Sequence, residues 1–176
     1  MIIRSIQYRV QQFWDALTRK PLTQADLAPA RLVLTDQQMA LFTRLQASEQ
    51  SHGLQVLKFL QDQGETHPDL LTAALLHDVG KSHHPLHLFE RVVIVLGQKF
   101  FPVRAKSWGQ GEPKGWRRSF VIATQHPLWG ATETERIGTS SLAVHLIREH
   151  QSEIQADHNS LENRLLSLLK TADSQN

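Results

Sequence analysis

The sequence predicts an all-α protein, folded as one helical bundle of about seven to nine helices. Three observations carry this reading. Apolar residues recur at the i, i+3, i+4, i+7 spacing of a helix face along nearly the whole chain. Caps, prolines and glycines punctuate that pattern at helix-sized intervals. The length, 176 residues, suits a single domain with a core large enough to need no disulfide or structural staple.

The elements follow in order. An amphipathic segment covers about Arg4–Leu17. Thr35 or Asp36 caps a helix running to about Ala47, and the next runs from about Ser48 to Gln63 and stops near Gly64. Pro68 suits a first helical position and Gly80 a C-terminal stop. Between them, Leu70 to Leu76 carries no charge on any face, as expected of a helix buried on all sides. Further helices are expected at 85–99, 115–125, 127–137, 139–151 and 160–173. Val92–Leu96 has strand-like composition, but Leu88, Phe89 and Phe100 around it favour a longer helix. Pro102–Gly115, with Pro102, Gly109, Gly111, Pro113 and Gly115, reads as an irregular loop.

Composition excludes several chemistries. There are ten histidines and no cysteine, which removes thiolate metal sites, CxxC redox chemistry and a cysteine nucleophile. Any transition metal must be held by nitrogen and oxygen. The net charge of +2 is too balanced to imply nucleic-acid binding, although residues 81–118 alone carry +6. Met1–Arg9 lacks the apolar stretch of a signal peptide. The longest apolar run, Val92–Leu96, is far short of the ~20 residues that span a bilayer. The expectation is a soluble cytoplasmic protein with no membrane partner.

Six polar residues lie where apolar ones belong. His77-Asp78 closes the most buried helix, and two ionisable groups there are costly unless paired or bound to metal. His52 shares a stripe with Val56, Phe59 and Leu60, and His150 with Ile147, Leu146, Ala143 and Leu142. Asp173 ends a stripe of Leu169, Leu166 and Leu165. His126 sits just before Pro127, at an expected helix start. By the same test His67, His83, His84, His87, His145 and His158 fall in turns, on rims or on mixed faces. The set His52, His77, Asp78, His126, His150 and Asp173 suits Fe, Mn, Co, Ni or Zn. Six inward ligands exceed the four of a structural zinc site and fit a two-metal centre with a bridging carboxylate.

At these residues the chain resembles the HD-domain superfamily of metal-dependent phosphohydrolases. The likeness rests on Ser51-His52, on Ala73-Ala74-Leu75-Leu76-His77-Asp78-Val79-Gly80-Lys81, and on Thr171-Ala172-Asp173-Ser174. His126-Pro127-Leu128-Trp129-Gly130-Ala131 and Ile147-Arg148-Glu149-His150 resemble the downstream histidines of two-metal members. The resemblance covers residues 48–176, leaving 1–47 as an N-terminal helical extension packed on the core. It implies a first divalent metal on His52, His77, Asp78 and Asp173. Asp78 would bridge to a second ion on His126 and His150, set the spacing between the ions and be placed to take a proton, and Lys81 would bind substrate phosphate. The implied function is cleavage of a phosphomonoester or phosphodiester, of a nucleotide-like small molecule, by metal-activated water. The glycine-tyrosine-proline motif of the cyclic-dinucleotide branch is absent from the sequence.

The insert at about 99–118 adds Lys99, Arg104, Lys106, Lys114, Arg117 and Arg118, with Arg91 ahead of it and Trp108 and Trp116 within it. As a lid over a nucleotide it would supply Arg117 and Arg118 to the substrate; as a solvated loop it would simply be packed down by its tryptophans. Two other functions stay open: a catalytically silent nucleotide-sensing or partner-binding module, and a nucleic-acid-binding accessory protein using this insert.

Overall fold

The computed structural model describes residues 21–152 and 160–175. It is all-α, and no strand occurs among the described residues. The helices are α1 (Ala28–Arg31), α2 (Asp36–Phe42), α3 (Ala47–Asp62), α4 (Pro68–Leu76), α5 (Leu88–Phe100), α6 (Pro102–Trp108), α7 (Arg118–Arg136), α8 (Ser141–Glu149) and α9 (Leu161–Gln175). Two 3-10 turns, Val79–His83 and Gly115–Arg117, precede α5 and α7. The segment expected over about Arg4–Leu17, and His158, lie outside the described residues.

Helix α4 is the axis of the bundle. Every residue from Leu70 to Leu76 is buried, and α2, α3, α8 and α9 pack around it. Each fully buried leucine here contributes about 1.5–3 kcal/mol relative to exposure. Helix α7 covers the end of α4, packing on both α8 and the Val79–His83 turn. Local signals explain the boundaries. Thr35 caps α2 in a capping box with Gln38, Pro68 opens α4, and Ser140 caps α8 through the Ala143 amide. Gly64 ends α3 at φ +81°, a conformation that disfavours a side chain.

Four expectations are corrected. Helix α2 ends at Phe42 rather than near Ala47. Helix α4 ends at Leu76, and Gly80 sits inside the 3-10 turn that follows rather than acting as a left-handed stop. Its glycine is required by proximity: a Cβ there would lie 2.1 Å from the His126 carbonyl oxygen and 2.7 Å from the Gly130 nitrogen. The helices expected at 115–125 and 127–137 are one, because α7 runs unbroken through Pro127. An interior proline costs about 3 kcal/mol in an isolated helix. Burial of Val121, Ile122, His126, Gly130 and Ala131 along one face outweighs it. Finally, the loop expected at Pro102–Gly115 contains α6, which starts with Pro102 in its first turn. The Trp108 ring anchors it against Phe101, Trp116 and Phe120 at centroid distances of 6.3, 5.3 and 5.0 Å.

Val92–Leu96 is helical, inside α5. That helix is the least embedded of the longer ones: Gly97 is its only buried residue, while Phe89, Val95, Leu96 and Phe100 are exposed. No helix among the described residues is long and apolar enough to cross a membrane.

Candidate metal centre

The six residues singled out from the sequence converge, although they come from five places in the chain. His77 is the residue that ends α4, and Asp78 begins the turn after it. His52 stands on α3, His126 on α7 and Asp173 on α9, while His150 directly follows α8. The amphipathic stripes that bury each helix against its neighbours point these side chains at the end of α4. His77, Asp78, His126 and His150 are buried, whereas His52 and Asp173 are partly exposed.

Three of the four imidazoles are fixed in one tautomer by the backbone. Nδ1–H of His77 donates to the Ala74 carbonyl (3.0 Å), that of His126 to Ile122 (3.0 Å) and that of His150 to Ile147 (2.8 Å). The Nε2 atoms are therefore the ring nitrogens turned inward: those of His77 and His150, which burial keeps neutral, carry lone pairs, and all three face carboxylate oxygens or one another. His77 Nε2 lies 3.7 Å from Asp78 Oδ2 and 3.6 Å from Asp173 Oδ1, with no hydrogen-bond partner. His126 Nε2 lies 3.1 Å from Asp78 Oδ1 and 3.3 Å from His150 Nε2. Acceptors gathered around a common space call for a cation within it, and outward-donating Nδ1–H groups are the usual support of metal-ligating histidines.

The six divide into two triads, His52–His77–Asp173 and Asp78–His126–His150, whose ligand atoms lie within 4.8 Å of one another in each. Asp78 connects them: Oδ1 faces His126 and, at 4.0 Å, His150, while Oδ2 faces His77. This donor set, nitrogen and carboxylate oxygen without sulfur, fits divalent transition metals.

Electrostatics keep the ligands in their binding forms. Burial pushes His77 below the ordinary imidazole value, against the pull of Asp78 and Asp173. Burial, aided by His77 and His126, brings His150 down to about 3. Burial opposes ionisation of Asp78, yet the Lys81 ammonium holds its carboxyl well below the usual range. For Asp173 the opposing burial is overcome mainly by its 2.8 Å hydrogen bond to His52, leaving it at about 2.

A cavity of about 260 Å³ opens beside the centre, lined by Ser48, Glu49, His52, Asp78, Lys81, Arg91, Gln151 and Asp173. Lys81 borders this cavity, with Nζ 2.6 Å from Asp78 Oδ2. Arg117 and Arg118 do not line this cavity. Arg117 stacks on Trp116, and Arg118 pairs with Glu90 and donates to the Pro85 carbonyl. Of the arginines in residues 91–118, it is Arg91, from the first turn of α5, that lines this cavity. Glu49 was also not selected from the sequence, although it precedes Gly53, Val56 and Leu60 on one helix stripe and is 3% exposed. Among the histidines set aside, His83 pairs with Glu133 (3.0 Å) and His84 packs on Trp129.

No curated protein and no solved structure matches the chain. The model of the HD-domain family does, over residues 50–174. That family consists in general of metal-dependent hydrolases. All six converging residues lie inside the matched span, four of them (His52, His77-Asp78 and Asp173) in the order histidine, histidine-aspartate, aspartate, and the chain belongs to the HD-domain family.

Proposed function

We propose that this protein is a metal-dependent phosphohydrolase that cleaves a phosphomonoester or phosphodiester, with nucleotides the substrate class to test first. The observation that carries the reading is the meeting of the His77, His126 and His150 Nε2 atoms around the Asp78 carboxylate, whose two oxygens face one triad each. His52, His77 and Asp173 would hold one divalent ion, His126 and His150 a second, with Asp78 common to both. Bound ions lower the pKa of water toward neutrality and offset the charge that develops on phosphoryl oxygens. The chain's own residues do the rest. Asp78, ionised at any neutral pH, fixes the spacing of the two triads and can take a proton from an attacking water through an oxygen. Lys81, flanking the same cavity, attracts and neutralises phosphate. No covalent enzyme intermediate is required.

The test is a panel of nucleotides and simpler phosphate esters, offered to protein loaded with Mn, Co or Fe. Phosphate release that disappears with chelation and in Asp78→Asn is the expected result. Tight nucleotide binding without turnover by metal-loaded protein would instead identify a sensor module.

A further inference from the structure

Arg91 and Glu49 form a feature that neither the ligand set nor Lys81 accounts for. Arg91 belongs to α5, a helix with almost nothing buried, yet its side chain reaches across to the start of α3. There its Nη2 lies 3.0 Å from Gln46 Oε1, 3.3 Å from Ser48 Oγ and 3.0 Å from Glu49 Oε1. Glu49 is a buried carboxylate, and burial raises it above its ordinary value, so it is an expensive partner for a merely superficial ion pair. The contacts to α3 all use one nitrogen of a group with five N–H donors. They fix the position of the guanidinium and leave its Nη1 and Nε donors for something else.

What the guanidinium borders is the 260 Å³ cavity, together with His52 and Asp173 of one triad, Asp78 of the other, and Lys81. Two cations from different elements thus flank one space next to the centre. Planar guanidinium forks match the oxygen pairs of phosphate, where an ammonium acts only as a point charge. The cavity is smaller than the ~300–1,000 Å³ pockets that enclose drug-sized ligands. It suits a phosphoryl group and the first atoms of an ester, with the remainder of the substrate outside it.

Resting on the phosphohydrolase reading, we propose that Arg91 binds the substrate's phosphoryl group in this cavity, and that Glu49, with Gln46 and Ser48, is a positioning residue that aims it. The substrate class this selects is an ester with an accessible terminal phosphoryl group, gripped by Arg91 and Lys81 from separate elements.

Inorganic phosphate is the probe, titrated calorimetrically into metal-loaded protein. In Arg91→Ala the metal content stays that of the wild type, because Arg91 is outside both triads, while phosphate affinity falls roughly ten- to a hundredfold. With any ester that is turned over, KM rises more than kcat falls. Arg91→Lys keeps the charge and recovers thermal stability more fully than phosphate affinity, whereas a purely structural ion pair would recover both together. Glu49→Gln weakens phosphate binding in the same direction by a smaller factor. Unchanged phosphate affinity in folded Arg91→Ala and Arg91→Lys, or no phosphate binding by metal-loaded wild type, overturns the proposal. Phosphate binding through Arg91 without hydrolysis of any ester would instead defeat the enzymatic reading and leave the anion site standing.

Discussion

His77 has a lone pair with no partner among the described residues. Its Nδ1–H is taken by the Ala74 carbonyl, and its buried Nε2 meets only carboxylate oxygens. A buried polar atom of this kind costs about 1–3 kcal/mol if nothing satisfies it. Purified protein is therefore expected to retain transition metal, Asp78→Asn, which faces both triads, to lose it, and His77→Ala, which touches one triad, to lose about half, as measured by elemental analysis. His126→Ala and His150→Ala should halve the content, since they touch only one triad; two ions remaining in both would refute the second site. The pH dependence follows from the same groups. His77 and His150 lie below the ordinary 6.5 in the folded chain, so the unfolded chain takes up protons first as pH falls. Their stabilisation is complete above about 6.5 and drains away as pH falls, toward about 3 for His150, while Asp173, held at about 2, adds its own loss once pH drops below the ordinary 3.8. Metal-free protein should thus begin to lose stability near pH 6.5 in denaturant melts; an onset only below 4 would contradict the buried neutral histidines. The six candidate ligands were legible because a polar side chain on an apolar stripe stands out. Arg91 was not, because its partners sit more than forty residues away, on α3.

Helices show the same division between near and far. The α4 helix was readable from its unbroken apolar run, and so was the helical state of Val92–Leu96, through its flanks. The continuity of α7 through Pro127 was not, since a local breaker is overruled there by packing against α8 and the Val79–His83 turn. Helix α6 was hidden for a related reason: its anchors are ring contacts from Trp108 to Phe101, Trp116 and Phe120, which glycine and proline counting cannot reveal. The close approach of the Val79–His83 turn to α7 gives a sharp test. In Gly80→Ala the new methyl must push the turn bearing Asp78 away from the backbone of His126. The expected cost is about 1–3 kcal/mol of stability, together with loss of metal from the Asp78–His126–His150 triad. A variant that melts and loads like wild type would show that the contact is slack.

At the scale of the molecule, ligands from α3, α4, α7, α8 and α9 meet at one point, so an ion there ties together most of the bundle. Binding to the folded chain alone stabilises it by about 2.7 kcal/mol at a hundredfold excess over Kd. Chelation should therefore lower the melting temperature by about 5–10 °C, and the drop should be absent in Asp78→Asn. The bundle itself was legible from periodicity and length, because helix packing in one domain leaves few alternatives. Which basic side chain faces the cavity was not, because charge content alone does not say which of the cations in residues 81–118 the fold turns inward.

The tautomers imposed by the Ala74 and Ile147 carbonyls also govern the proton balance of loading. At neutral pH His77 and His150 are already neutral, and Asp78 and Asp173 already ionised, so none of the four has a proton to surrender when an ion arrives. The heat of metal uptake then owes nothing to the buffer on their account. Titrations in buffers of different ionisation enthalpy would count only protons released elsewhere, from His52, whose Nε2–H donates to Asp173, from His126 and from solvent.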